Sequence, residues 1–181
     1  LQGPITASQN VTIRGENTNS ANGTTAVFIN KAVTATNGTI DVTAVTAGVS
    51  PNALQIDPGA SLRTTNNAVN INADTLSVAA SGLTSETINA GTGTVSIKTV
   101  SADAKISIGL NVADAGSATT GSRTLGLSNA ELNRITAGNL VVGDASNTGG
   151  ITVSAATTTN ATTGNVTLQT GGNIAVNAAL T

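Results

Sequence analysis

The sequence predicts an all-β protein, and more specifically a right-handed parallel β-helix (solenoid) of about eight or nine coils. Three observations support this prediction. The apolar residues, 39% of the chain, are almost entirely Val, Ile, Leu and Ala, with Phe28 as the single aromatic residue and no Met, Trp, Tyr or Cys. The polar residues are mainly Thr, Asn, Gly and Ser, a mixture that favours strands and turns. One short sequence word also returns along the whole chain.

The repeated word is Gly, polar, aliphatic, polar, aliphatic, and each copy has the period-2 alternation of a short, half-buried strand. The aliphatic parts of its copies, some of them shifted or without the glycine, are residues 11–13, 40–42, 54–56, 69–71, 76–78, 95–97, 106–108, 151–153, 166–168 and 174–176. Turn residues such as Asp57-Pro58-Gly59 separate them. An antiparallel sandwich is the alternative, but its longer and more varied strands are missing. A coil of two or three such strands would take about 20 residues.

The stretch from Leu125 to Ile135 breaks this pattern. Ser128 followed by Glu131 has the spacing of a capping box, and Leu127, Leu132 and Ile135 would line one side of a helical turn. We therefore predict one short helical turn near residues 128–135, with an irregular surface loop as the alternative. Residues 115–122, all Gly, Ser, Ala and Thr, are the best candidate for a bulging loop.

Charge and hydropathy exclude some partners. Charged residues make up 9% of the chain, and the seven Lys and Arg residues are scattered singly, so no basic stripe could neutralise phosphates. We expect no nucleic-acid partner. No apolar run approaches the roughly 18 residues of a membrane span, and the first residues do not resemble a signal peptide. Because the chain begins with Leu, we expect residues 1–181 to be a single β-helix segment of a longer repetitive protein.

Residues 124–143, running on to 149–153, resemble a recurring unit of very large bacterial filamentous-haemagglutinin-like exoproteins, adhesins of the two-partner-secretion type. The words at 164–168 and 172–176 resemble the same repeats. The resemblance implies an extracellular or cell-surface β-helix shaft that acts in adhesion, biofilm contact or competition. Its implied partners are glycans or proteins of a host cell, a neighbouring cell or the matrix.

The resemblance implies the shaft rather than the export module, because the family's secretion-signal domain with its Asn-Pro-Asn type motif is absent from this sequence. It carries no catalytic residue onto this chain. Low charge and exposed Thr and Asn also make lateral self-association of such shafts plausible. We therefore predict a structural and adhesive protein, not an enzyme, with no catalytic, cofactor-binding or metal-binding residues and no cofactor.

A carbohydrate-active β-helix enzyme is the main alternative, and it would need clustered acids together with a base. The chain has no His, and none of its nine acidic residues is adjacent to another. The acids are Glu16, Asp41, Asp57, Asp74, Glu86, Asp103, Asp114, Glu131 and Asp144. Stacked coils would bring Asp41, Asp57 and Asp74 together as a Ca²⁺ site if their spacing matched the coil. We interpret these three as acids in separate solvated turns.

Ice binding is a second alternative, because a flat β-helix face can display Thr-x-Thr on every coil. Thr34-Ala-Thr36, Thr92-Gly-Thr94 and residues 157–159 have this form, but they are unevenly spaced and Thr is a common strand residue. Five Asn-x-Thr sequons begin at Asn10, Asn22, Asn37, Asn160 and Asn165. We interpret these asparagines as turn residues or members of stacked side-chain ladders rather than glycan sites.

Overall fold

The structure is a computed structural model that describes residues 3–18, 24–47, 52–78, 87–109 and 123–181. It is 52% strand and 3% helix, so the all-β prediction is confirmed. The elements are β1 Ile5–Ala7, β2 Val11–Asn17, β3 Val27–Ile29, β4 Ala32–Ala35, β5 Ile40–Thr46, β6 Leu54–Ile56, β7 Ser61–Thr64, β8 Val69–Ala73, β9 Leu76–Val78, β10 Ile88–Asn89, β11 Thr94–Lys98, β12 Lys105–Gly109, β13 Thr124–Ser128, α1 Asn129–Leu132, β14 Ile135–Thr136, β15 Asn139–Asp144, β16 Ile151–Val153, β17 Asn165–Thr170 and β18 Ile174–Val176.

The strands form four sheets in which neighbouring strands are parallel. Sheet I has the order β1-β4-β7-β10-β14, and sheet II has the order β2-β5-β8-β11-β15-β17. Sheet III is β3-β6-β9, and sheet IV is β13-β12-β16-β18. From β1 to β9 the chain visits sheets I, II and III in turn and then returns to pair beside the strand it left. This parallel arrangement is consistent with the predicted solenoid.

The strand pairing indicates a longer repeat than the sequence suggested. Val11 pairs with Ile40, 29 residues later, and Val69 pairs with Val95, 26 residues later. These separations exceed the predicted coil of about 20 residues. Sheet II, the largest sheet of the described residues, has six strands. The number of coils stays a prediction.

All ten copies of the repeated word lie in strands, as predicted. In sheet II the aliphatic residues of these copies and of β15 stack in register as two columns. One column is Val11, Ile40, Val69, Val95, Leu140 and Val166, and the other is Ile13, Val42, Ile71, Ile97, Val142 and Leu168. The members on β5, β8, β11 and β15 are buried, while the residues between them lie on the opposite face, where Asp41 and Asn70 are partly exposed and Ser96 is 8% exposed. Each buried side chain contributes about 1.5–3 kcal/mol, so the columns form the centre of the core.

The glycine of the repeated word has a packing role. A β-carbon at Gly93, just before β11, would overlap the carbonyl oxygen of Asn67. A β-carbon at Gly38, just before β5, would overlap the backbone of Gln9 and Asn10. In both cases the backbone of the preceding coil passes where the side chain would stand. Glycine therefore allows successive coils to approach to strand-pairing distance at this corner.

We expect Gly93→Ala to lower the free energy of unfolding by about 1–3 kcal/mol, because the added methyl group forces two backbone segments apart. Urea denaturation followed by far-UV circular dichroism measures this change. Gly3→Ala is the matched control, since a β-carbon there meets nothing within 4 Å. Equal stability of the two variants would contradict the close-approach explanation.

The predicted helical turn is confirmed as α1. Ser128 is the N-cap, its hydroxyl accepts from the backbone N–H of Glu131, and the Glu131 carboxylate accepts from the backbone N–H of Ser128. Leu132 and Ile135 are buried as expected. Leu127 belongs to β13 and Ile135 to β14, so of the three predicted residues only Leu132 lies in the helical turn. The predicted bulging loop at 115–122 lies outside the described residues.

Strand β13 does not lie between β12 and β16, as the order of the chain would suggest. It pairs in register with β12, on the side opposite β16, and it contacts β9, the last strand of sheet III. The Glu131 carboxylate also accepts from the backbone N–H of Val78 on β9 at 3.3 Å. Strand β13 and Glu131 therefore join the edge of sheet IV to the last strand of sheet III. Within the described ranges, the structure contains no helix that is long and apolar enough to cross a membrane.

Candidate functional site

A group of buried and partly buried polar side chains lies where the chain leaves sheet II and turns towards sheets III and IV. We call this set the polar corner; its members are Thr46, Asp74, Thr75, Thr99, Ser101, Asn147 and Thr170. Thr46 and Thr170 end strands β5 and β17, and the other members follow β8, β11 and β15, so neighbouring parallel strands place them one above another. A buried polar group without a partner costs about 1–3 kcal/mol, which makes the partners of these side chains informative.

Asp74 is the one acidic residue of the polar corner, and only 1% of its surface is exposed. Its Oδ1 accepts from the backbone N–H groups of Val100 and Ser101, both at 2.8 Å. Its Oδ2 accepts from the Ser101 hydroxyl at 2.6 Å and forms an ion pair with Arg123. The interpretation of Asp74 as an acid in a solvated turn is therefore wrong, because the next coil covers it with amide and guanidinium donors.

Arg123 connects the polar corner to strand β13. It directly precedes β13, and 11% of its side chain is exposed. One end of its guanidinium pairs with Asp74, and the other donates to the backbone carbonyl of Thr46. The side chain thus joins the segments after β5 and β8 to the start of β13. A buried ion pair of this kind fixes the relative position of the segments it joins, whereas desolvation offsets much of its contribution to the free energy of folding.

Asn147 forms the second contact centre of the corner and is 2% exposed. Its amide nitrogen donates to the Thr99 hydroxyl and to the Ala104 carbonyl, both at 2.7 Å. Its side-chain oxygen accepts from the backbone N–H of Gly149 at 3.0 Å. The Thr170 hydroxyl donates to the Asn147 backbone carbonyl at 2.7 Å. Asn147 therefore ties together the turns after β11, β15 and β17.

The other acids of the alternative Ca²⁺ site have separate partners. Asp41, on the outer side of β5, accepts from Asn70 at 2.7 Å and from the Thr39 hydroxyl at 2.9 Å. Asp57 accepts from the Gln55 amide at 2.9 Å. No group of three His, Cys, Asp or Glu side chains suited to a metal ion occurs in the described part of the chain. Glu86 and Asp114 lie outside those residues.

The Thr-rich motifs do not share one face. Thr34 lies on β4 of sheet I, and Thr94 begins β11 of sheet II. Thr157 and Thr159 are buried, with 2% and 8% of their surfaces exposed. Two of the three motifs that suggested ice binding therefore lie on different sheets, and the third contributes buried side chains.

Three of the sequon asparagines hold neighbouring coils together. The Asn10 side chain accepts from the backbone N–H of Thr39 at 2.9 Å. The Asn160 amide donates to the carbonyl of Asn133 at 3.0 Å, and the Asn165 amide donates to the Asn139 side chain at 3.1 Å. These bonds agree with the prediction of turn and ladder asparagines. The sequon at Asn22 lies outside the described residues.

Asp144, at the end of β15, has a pKa below its ordinary value. The main cause is the hydrogen bond from the Ser146 hydroxyl, assisted by the backbone N–H groups of Ser146 and Asn147 and by the positive charge of Lys98, while burial opposes the shift. A lowered folded-state pKa contributes stability above the unfolded pKa that is lost as pH falls through the folded value.

We expect Ser146→Ala to raise the pKa of Asp144 towards its ordinary value, because the largest favourable interaction of the carboxylate is removed. Carboxyl carbon chemical shifts followed by NMR through an acid titration measure the pKa directly. Ser154→Ala, an exposed serine that donates instead to the Ile108 carbonyl, is the control. An unchanged Asp144 titration would contradict the assigned cause.

A small open cleft of about 250 Å³ lies where strands β12, β16 and β18 of sheet IV begin. It is lined by Lys105, Thr148, Gly149, Gly150, Ile151, Thr152, Asn173 and Ala175. Lys105 is the one charged residue of this lining, so the cleft offers a single ammonium beside hydroxyl and amide groups. It holds no acid and base pair of the kind that hydrolysis would need.

The side chains at the centre of the polar corner are fully bonded within the protein. Both oxygens of Asp74 already accept hydrogen bonds, and both polar atoms of the Asn147 side chain are also bonded. Its hydrogen bonds align neighbouring strands and hold β13 in place. Sequence reasoning missed it, although Asp74-Thr75 directly after a strand was a visible signal. Searches against protein-family models, curated proteins and solved structures found no match to this chain.

Proposed function

We propose that this chain is a segment of a right-handed parallel β-helix that serves as an extracellular structural and adhesive shaft of a bacterial haemagglutinin-like surface protein. One observation carries the proposal: aliphatic side chains stack in register through the parallel strands of sheet II, while the buried polar groups at its corner bond to one another. Such an arrangement transmits force along the stack and leaves the outer Thr and Asn residues for contacts.

The right hand of the helix rests on the strong preference of parallel crossover connections, about 98% of which are right-handed. The extracellular location and the adhesive role rest on the resemblance of residues 124–143 and 149–153 to haemagglutinin-like repeats. The partners of such a shaft are glycans or proteins on a host cell, a neighbouring cell or the matrix. Contacts of this kind are individually weak and gain strength through repetition along the surface.

Bead adhesion tests the proposal. Beads coated with the chain are added to fixed erythrocytes, to fixed bacterial cells and to a glycan array, and the bound fraction is measured. The control coat is Ile71→Asp, which places an unpaired charge in the core and prevents folding. We expect the folded chain to adhere several-fold better than the control to at least one surface. Equal adhesion of both coats to every surface would reject the adhesive role.

A further inference from the structure

The two sides of the stack do not contain the same number of strands in its middle. Strand β9 follows β8 along the chain, and β16 follows β15, so the two pairs belong to the same two coils. In sheet II, β11 alone lies between β8 and β15. On the other side both β13 and β12 lie between β9 and β16, because β12 pairs with β13 and β16 and β13 contacts β9. This side therefore advances by three strand spacings where sheet II advances by two.

Strand β13 lies within the wall of the stack rather than on its surface. Its inward residues, Leu125 and Leu127, are fully buried and belong to the hydrophobic core. They pair in register with Ile106 and Ile108 on β12, which are also core residues. The aliphatic residues of β9 belong to the same core. A strand laid over the outside of the wall would place neither leucine there, so β13 separates β9 from β12.

We propose that β13 acts as a wedge that bends the stack, tilting the coils after it towards sheet II. Paired strands lie about 4.8 Å apart, and facing sheets across a core lie about 10 Å apart. One additional spacing on one side alone therefore tilts the coils by on the order of 25°. Sheet II cannot widen to remove the difference, because β8, β11 and β15 are joined by parallel ladders. The inference does not depend on the adhesive role.

Both ends of β13 are fastened to the coils that precede it. At its start, Arg123 pairs with Asp74, two residues before β9, and donates to the carbonyl of Thr46 at the end of β5. Beyond its end, the Glu131 carboxylate accepts from the backbone N–H of Val78 on β9 at 3.3 Å. Because a buried ion pair tolerates little displacement, these contacts make the bend a fixed angle rather than a hinge. In a longer solenoid the wedge would set the direction of the later coils.

Two pairs of spin labels compare the two sides over the same coils, and all four labelled positions lie on the outer face. Thr12→Cys with Val141→Cys spans sheet II from β2 to β15, four strand spacings or about 19 Å. Phe28→Cys with Thr152→Cys spans the other side from β3 to β16, five spacings or about 24 Å. We expect double electron–electron resonance to give a second distance about 5 Å longer than the first. Equal distances would overturn the wedge.

The variant Asp74→Asn tests the fastening, because it keeps the size of the side chain and removes the charge that pairs with Arg123. We expect it to broaden the distance distribution between positions 28 and 152 and to leave that between positions 12 and 141 unchanged. Asp103→Asn, at an exposed acid, is the control and should change neither. Circular dichroism checks that each variant is folded, and if Asp74→Asn is not, the two distances in the parent protein decide the proposal alone. An unchanged distribution between positions 28 and 152, or equal broadening of both, would overturn the fixed wedge.

Discussion

Replacing Asp74 with Ala should lower the free energy of unfolding by about 3–5 kcal/mol, because it leaves a buried guanidinium without its partner. The same change removes the acceptor for the Ser101 hydroxyl and for the backbone N–H groups of Val100 and Ser101. Urea denaturation followed by far-UV circular dichroism is the suitable measurement, since the chain contains no Trp or Tyr.

A double-mutant cycle isolates the ion pair within that loss. Arg123→Ala combined with Asp74→Ala should cost less than the sum of the two single changes, because neither charge is then left buried alone. Asp103→Asn is the control, as this exposed acid should change stability by no more than about 0.5 kcal/mol. Additive losses in the cycle, or an Asp74→Ala effect as small as the control, would show that the polar corner does not anchor β13.

Ile71→Ala should lower the free energy of unfolding by about 2–5 kcal/mol, since it opens a cavity in the middle of an aliphatic column. Ile71 is fully buried on β8, and it lies between Val42 on β5 and Ile97 on β11. Neighbouring strands bonded on both sides limit how far the site can collapse. The same urea denaturation measures the effect.

The control for Ile71 lies next to it on the same strand. Asn72 points to the outer side of β8 and is partly exposed, so Asn72→Ala should change stability by no more than about 0.5 kcal/mol. The contrast tests which face of sheet II is the core. Comparable losses at both positions would indicate that the strand is not oriented as the columns require.

Strands with alternating aliphatic residues could be predicted from the sequence, because the period of two directly reflects one buried and one exposed face. Strands without two alternating aliphatic residues could not be predicted. Strand β10, Ile88–Asn89, has two residues, and β7, Ser61–Thr64, has Leu62 as its single aliphatic residue. Such segments become strands because their neighbours in sheet I supply the backbone partners, which is a tertiary effect.

The position of β13 and its ion pair with Asp74 could not be predicted from the sequence, for a similar reason. Arg123 and Asp74 are 49 residues apart in the chain, and neither lies within a motif. The capping box of Ser128 and Glu131 could be recognised because it is local. The additional bond from Val78 to Glu131 spans 53 residues and depends on where β13 is placed. The separations between paired residues of sheet II, 29 and 26, exceed the predicted repeat of about 20 because the short strands of sheet I were not recognised.

The parallel order of sheet II is the central claim, and one spin-label distance tests it most directly. Thr12, Asp41, Asn70, Ser96, Val141 and Thr167 form an in-register outer column across its six strands. The chain has no native Cys, so labels at Thr12→Cys and Thr167→Cys are unambiguous. Five strand spacings place the two backbones about 24 Å apart. A narrow distribution near that distance in a dilute sample of the doubly labelled protein would support the parallel order of sheet II, whereas a centre below about 15 Å, within three strand spacings, would contradict it.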